Sequence, residues 1–221
     1  MNPYLLLRIG QYLTINSRSN PPSPGCIAVA ASSIFISSNV FGAGITLGQC
    51  ANGGVKEDIA HTECHNGWIS GNANQSKAAY AEGEFLPYRV VMTGLTVDEN
   101  YTYRFSWDTL KKGKHAIDYI VSFYYDVIDA NPCTGYEDVC SLDGEEADSE
   151  TIPEDPAITV NDPDFNWRAG EMVLYGGDLD PINPDDYGFA TLGDIQSLDV
   201  SFTAKQETVV LAWGGHIASP L

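Results

Sequence analysis

An alternation of aromatic and polar residues at positions 101–107 constrains the fold more than any other stretch of the chain. The two kinds of side chain take alternate positions, with Tyr101, Tyr103, Phe105 and Trp107 set against Thr102, Arg104 and Ser106. Because successive side chains of a strand point to opposite faces of a sheet, this pattern predicts a half-buried β-strand.

A second apolar run follows at 115–125, after a short basic turn with Lys111, Lys112 and Lys114. The run fits both a helical stripe and a strand face, but its β-branched and aromatic residues favour a strand. We therefore predict that the two runs form the central hairpin of a β-sandwich. The lysines would lie at its solvent-exposed tip.

Other strand patterns are separated by turn signals, and the clearest of them lie at 86–95, 171–175, 197–204 and 207–213. The last is apolar on both faces, which is typical of a central strand. The acidic stretch 137–164 contains almost no basic residue and is interpreted as a solvent-exposed excursion between strands. Together these patterns predict an all-β, antiparallel β-sandwich, formed by residues 45–221 as one domain.

The charge of the chain argues against one class of function. The formal net charge is -19, with 30 acidic residues against 11 Lys and Arg. A surface that binds nucleic acid needs clustered Lys and Arg to meet the phosphates. We therefore do not expect nucleic acid among the partners.

The first 44 residues differ in composition from the rest, because Arg8 and Arg18 are their only charged residues. Within them, 26–44 is apolar and rich in small residues, yet too short and too polar for a membrane-spanning helix. It resembles the apolar core of a signal peptide. We predict that 1–44 is a leader segment. The alternative is that these residues form an irregular N-terminal arm of the mature fold.

Removal of the leader would leave four cysteines, Cys50, Cys64, Cys133 and Cys140. Three pairings are possible, and proximity in sequence favours 50–64 and 133–140. No C-x-x-C pair of a zinc site occurs. Disulfides persist in oxidising compartments, so the cysteines predict a secreted or cell-surface location.

Seven segments between residues 46 and 218 carry a resemblance to a known group of proteins. They are GQCANGG (48–54), HTECHNGW (61–68), GNANQS (71–76), YAEGEFLPYRVVMTGL (80–95), SWD with GKHAIDY (106–119), LYGG (174–177) and VSFTAKQETVVLAWGGHIA (200–218). The sequence of these segments resembles the N-terminal module of uncharacterised secreted bacterial surface proteins. That resemblance implies a prealbumin-like or immunoglobulin-like β-sandwich at the cell surface, and it implies no particular ligand or activity.

The histidines do not form a recognised catalytic motif. His61 and His65 lie in HTECH, which is not the H-E-x-x-H of metalloproteases, and we expect them to hydrogen-bond their own loop. His216 is interpreted as a structural histidine.

Asp118 is unusual because it lies inside an apolar run. Burial of a carboxylate is costly without a partner, so we expect Asp118 on an open face or beside Arg89 or Arg104.

One acidic turn, 176–188, has the composition of a calcium site. Its oxygen donors are Asp178, Asp180, Asn183, Asp185 and Asp186. Ca²⁺ takes about 6–8 oxygen ligands, and Pro181 and Pro184 restrict the unbound chain. The turn lacks EF-hand spacing, and a plain solvated acidic loop is the alternative.

Two hypotheses for the function follow. The first is a secreted or cell-surface module with a structural or adhesive role, which needs no cofactor and whose partners are other surface proteins or glycans. The second is a carbohydrate-binding or carbohydrate-active domain. Its candidate residues are the aromatic side chains Trp68, Tyr80 and Trp167, although such residues are also ordinary in the core of a sandwich.

Overall fold

The computed structural model describes residues 11–15, 43–70, 73–111, 114–140, 147–156, 167–189 and 195–218. Its strands are β1 (Gln11–Ile15), β2 (Gly44–Cys50), β3 (Trp68–Ile69), β4 (Phe85–Thr93), β5 (Asn100–Asp108), β6 (Leu110–Lys111), β7 (Lys114–His115), β8 (Ile117–Val121), β9 (Asp148–Ile152), β10 (Gly170–Tyr175), β11 (Gly177–Leu179), β12 (Tyr187–Phe189), β13 (Ile195–Ala204) and β14 (Thr208–Ile217). A short helix, α1 (Glu137–Cys140), and a 3₁₀ turn, Pro184–Asp186, complete the described elements.

Twelve of the strands form two antiparallel sheets that pack against each other, which confirms the predicted all-β sandwich, and β6 and β7 form a separate two-stranded ladder. The first sheet has the order β1-β5-β13-β11, and β12 also pairs with β13. The second sheet has the order β3-β2-β4-β14-β10-β9, and β8 also pairs with β14. Since β14 pairs with β4, β8 and β10, its predicted central position is confirmed.

Aromatic rings from both sheets form the centre of the core. The alternation in β5 is confirmed, because Tyr101, Tyr103, Phe105 and Trp107 are all buried. The ring of Phe105 lies 4.4 Å from that of Trp213 on the opposite sheet, measured between centroids. This contact between β5 and β14 joins the two sheets.

The predicted central hairpin is wrong, because its two runs lie in different sheets. Strand β5 pairs with β13, whereas β8 pairs with β14 of the second sheet. Only the short β6–β7 ladder between them forms a hairpin. The apolar character of β8 explains the difference, since Ile117 and Ile120 join the core between the sheets while Tyr119 and Val121 pack on the outer side. A strand apolar on both faces is stabilised by burial on both.

The acidic stretch 137–164 is not simply an excursion between strands. It supplies the edge strand β9, which pairs with β10. The carboxylate of Asp155 is buried and accepts hydrogen bonds from Nε2 of Gln196 at 2.9 and 3.0 Å. A donor of this kind offsets the cost of burying the charge. Residues 141–146 and 157–166 lie outside the described part of the chain.

The predicted leader is described only in part. Strand β1 falls inside it and pairs with β5 along the edge of the first sheet. The rest of 1–42 lies outside the described residues, so the leader remains a prediction.

Both predicted disulfides are confirmed. Cys50 is bonded to Cys64 and Cys133 to Cys140. The first bond holds the irregular segment after β2, and the second spans the turn that leads into α1. Such bonds are compatible with an extracellular location. None of the helices that the structure describes is long and apolar enough to cross a membrane.

Candidate functional site

Two of the three aromatic candidates have structural roles. The Trp68 indole Nε1–H donates to the carbonyl of Asn131 at 2.8 Å, and the Arg89 guanidinium lies 4.9 Å from the Trp68 ring. Arg89 also donates to the carbonyl of Thr134, so the pair fastens the segment before α1 to the second sheet. The Tyr80 hydroxyl donates to the Cys50 carbonyl at 3.1 Å, and its ring packs against the core. These contacts give both side chains structural roles.

The third candidate, Trp167, lines an open pocket of about 380 Å³. The other lining residues are Phe85, Tyr119, Arg168 and His216. Phe85 and Tyr119 belong to the apolar cluster on the outer side of the second sheet, against which Trp167 packs. The pocket therefore lies on the outer face of that sheet, opposite the core between the sheets.

Three neighbouring strands supply the floor of the pocket. Phe85 in β4 lies directly opposite His216 in β14, and their ring centroids are 4.9 Å apart. The imidazole also stacks on the Tyr119 ring from β8, at 4.8 Å and an interplanar angle of 25°. These contacts hold a planar polar ring flat among aromatic side chains.

The carboxylate of Asp118 orients the imidazole of His216. Nδ1–H of His216 donates to Oδ2 of Asp118 at 3.0 Å, and both side chains are mostly buried, at 14% and 20% exposed. A register shift between β8 and β14, at Gly215 and Ile217, brings the two together. With Nδ1 engaged, Nε2 is the nitrogen left for a ligand.

The expected arginine partner of Asp118 is therefore wrong, since its partner is His216 rather than Arg89 or Arg104. Arg89 donates to carbonyl groups before α1, and Arg104 pairs with Asp199 on the first sheet. The error follows from the hairpin, because a β8 placed beside β5 would have faced Arg104 rather than β14.

Two tyrosine hydroxyls hold the backbone at one side of the pocket, at Arg168 and Ala169. The Tyr125 hydroxyl donates to the carbonyl of Ala169, and the Tyr119 hydroxyl hydrogen-bonds the backbone of Arg168. Burial raises the pKa of Tyr119 to about 12, so this hydroxyl keeps its proton at neutral pH. The Arg168 guanidinium lies 4.3 Å from the Tyr125 ring and 5.6 Å from the Phe85 ring. Both Trp167 and Arg168 thus project from a backbone segment that is held in place.

The lining has a composition that can hold a ligand. It combines aromatic faces with the planar donors of Arg168 and His216, and pockets of this composition orient a ligand with few polar contacts. The lining residues include no serine, threonine or cysteine to act as a nucleophile with His216. The carboxylate of Asp118 is engaged with the imidazole rather than available as a separate acid.

Four of the five residues of the predicted calcium site, Asp178, Asp180, Asn183 and Asp186, have other contacts. Asp178 lies 3.4 Å from Nζ of Lys205, and Asp186 accepts a hydrogen bond from the backbone N–H of Asn183 at 2.7 Å. The Asp180 backbone N–H donates to Ser201 across the sheet. The described residues hold no group of three or more His, Cys, Asp or Glu that could bind a metal ion. The arrangement therefore gives the calcium prediction no support.

The histidines of HTECH hydrogen-bond their own loop, as expected. Nδ1–H of His61 donates to the carbonyl of Asn52 at 2.8 Å. Nε2–H of His65 donates to the carbonyl of Ala60 at 2.7 Å.

Comparisons with family models, curated proteins and solved structures gave no match to this chain. The resemblance to secreted surface modules therefore remains a prediction.

Sequence reasoning missed most of the pocket. It did not select Phe85, Arg168 or the pairing of Asp118 with His216. The available signal was an acidic residue and a histidine, each placed in an apolar strand, since two such residues are best accommodated beside each other. That signal becomes specific only when β8 is placed next to β14.

Proposed function

We propose that this chain is an extracellular β-sandwich module that attaches to carbohydrate through the outer-face pocket, defined by Phe85, Tyr119, Trp167, Arg168 and His216. The single observation that supports it best is the convergence of Trp167 with two planar polar side chains in one open pocket. The two disulfides support an extracellular setting.

Carbohydrate ligands match both parts of the lining. The C–H face of a pyranose ring is apolar and packs against an aromatic ring, while its hydroxyls need hydrogen-bonding partners at the ring edge. Trp167 and Tyr119 supply rings, and the guanidinium and imidazole supply the polar partners. Because the Trp167 indole N–H has no hydrogen-bond partner within the described residues, it is available as a further donor.

A purely structural role for the module is the second candidate. It is favoured by the resemblance to surface proteins and assigns the pocket no ligand. The two functions differ in one measurable respect, since only the adhesive function requires Trp167.

Substitution Trp167→Ala is expected to weaken carbohydrate binding tenfold or more, because truncation of an aromatic anchor costs about 2 kcal/mol and each ~1.4 kcal/mol is a factor of ten. Binding of the purified disulfide-bonded protein to a glycan array, followed by calorimetry on the glycans retained, measures the effect.

Tyr136→Ala is the matched control. Tyr136 is also half-buried and lies beside an arginine, Arg89, but it is outside the pocket. It should leave the affinity unchanged. Absence of any bound glycan, or equal losses in the two variants, would leave the structural role as the better account.

A further inference from the structure

The three described arginines differ in how their hydrogen-bond donors are used. Arg104 forms a bidentate salt bridge with Asp199, in which Nε donates to Oδ1 and Nη2 to Oδ2, each at 2.5 Å. Arg89 donates to the carbonyls of Pro132 and Thr134. Arg168 makes neither an ion pair nor a side-chain hydrogen bond with any residue that the structure describes. Within the described part of the chain, no side chain or carbonyl therefore competes with a ligand for its five N–H donors.

The position of Arg168 is nevertheless defined. Its guanidinium lies over the Tyr125 and Phe85 rings, its own backbone is held by Tyr119, and that of the next residue, Ala169, by Tyr125. Contact with a ring face uses the plane of the guanidinium and leaves the N–H groups along its edge. A planar, prepositioned fork of donors is the arrangement that binds a carboxylate through two parallel hydrogen bonds.

The nearby acidic groups do not take this role. Asp118 accepts the hydrogen bond from His216, and Asp126 accepts one from the Phe85 backbone N–H at 2.7 Å. The net charge of -19 repels anions at long range, but salt screens charges separated by more than about 8 Å at physiological ionic strength. Among the described lining residues, Arg168 carries the permanent positive charge.

From these contacts we infer that the ligand of the outer-face pocket is an acidic saccharide, whose carboxylate binds the Arg168 guanidinium while its ring packs on Trp167. The inference rests on the proposed function and adds the chemical class of the sugar. A hydrogen bond between ionised groups is about twice as strong as one between neutral groups, so the carboxylate provides the discrimination against neutral sugars.

Paired probes test the inference: sialyllactose against lactose, and trigalacturonate against its methyl ester. Calorimetry at physiological ionic strength, where the net charge of the chain is screened, should show each acidic probe that binds to be preferred at least tenfold over its neutral partner. Arg168→Gln is shorter and keeps a hydrogen-bonding amide but removes the charge, and it should abolish that preference. Arg104→Gln, which alters an arginine on the first sheet, should preserve it.

The outcomes separate this inference from the proposed function. The inference that the ligand is acidic is overturned by any of three results: equal affinity for both members of a pair, binding of neutral probes alone, or an unchanged preference in Arg168→Gln. Each of these results leaves carbohydrate binding intact. Failure of these probes and of every glycan on the array to bind overturns both.

Discussion

Above pH 10, the free energy of unfolding is expected to fall by about 4 kcal/mol per pH unit or more. Burial raises the pKa of Tyr88, Tyr103 and Tyr187 well above the ordinary value near 10, with Asp155 adding to the shift of Tyr187. Burial raises the pKa of Tyr80 and Tyr119 as well, and these two groups add to the fall. Between pH 10 and the folded-state pKa values, these tyrosines ionise in the unfolded chain but stay protonated in the folded one. The unfolded state then binds fewer protons, and each such group lowers stability by about 1.4 kcal/mol per pH unit.

Urea unfolding at pH 9, 10 and 11, with tyrosinate absorbance followed in parallel, measures this slope. Tyr103→Phe is the control, because it removes one of these groups and should reduce the slope by about 1.4 kcal/mol per pH unit. The Tyr103 hydroxyl is buried without a hydrogen-bond partner in the described structure, so the variant should lose no stability at pH 7. Ionisation of all the tyrosines near pH 10 in a protein that stays folded would refute the burial on which the prediction depends.

Gly214→Ala is expected to destabilise the domain by about 3 kcal/mol. A Cβ atom at position 214 would lie 2.5 Å from the Ser122 carbonyl oxygen and 3.3 Å from Cα of Phe123. Both are backbone atoms of the segment that follows β8, so the contact cannot be relieved by rotation of a side chain. Since Gly214 lies in the central strand two residues before His216, relief by movement of the strand would also disturb the pocket.

Gly188→Ala is the comparison for this prediction. A Cβ atom there would also lie 2.5 Å from its neighbour, but that neighbour is the Ser197 hydroxyl, which can rotate away. The cost should be limited to its hydrogen bond with the Gly188 carbonyl, about 1 kcal/mol. Chemical denaturation of the two variants beside the wild type gives the difference. Equal destabilisation would mean that the approach of β14 to the segment after β8 is not rigid.

Features encoded locally in the sequence were predicted well. The alternation in β5, the two-sided apolar character of β14 and the short separations within each cysteine pair all depend on neighbours in the chain. The partner of β8 depends instead on which sheet has an outer face to cover. Asp155 illustrates the same limit, because its acidic surroundings in sequence indicate solvent while Gln196, 41 residues away, supplies its buried donor.

The candidate site shows why residue type alone does not identify a binding residue. Trp68, Tyr80 and Trp167 were selected on the same grounds, yet only Trp167 lines the pocket. The Trp68 indole is engaged by Asn131 and Arg89, and the Tyr80 hydroxyl by Cys50, through contacts with distant parts of the chain. Arg168 drew no attention in the sequence because its unpaired state becomes visible only beside the paired Arg89 and Arg104.

The most direct test of carbohydrate binding at the outer-face pocket is a nuclear magnetic resonance titration of the four tryptophan indole N–H groups. The ligand is the glycan that binds most strongly on the array. The Trp167 resonance should shift in proportion to occupancy, while those of Trp107 and Trp213, buried in the core, should stay in place. Saturable binding with an unmoved Trp167 resonance, or with the main shift at Trp68, would contradict the account by placing the ligand elsewhere.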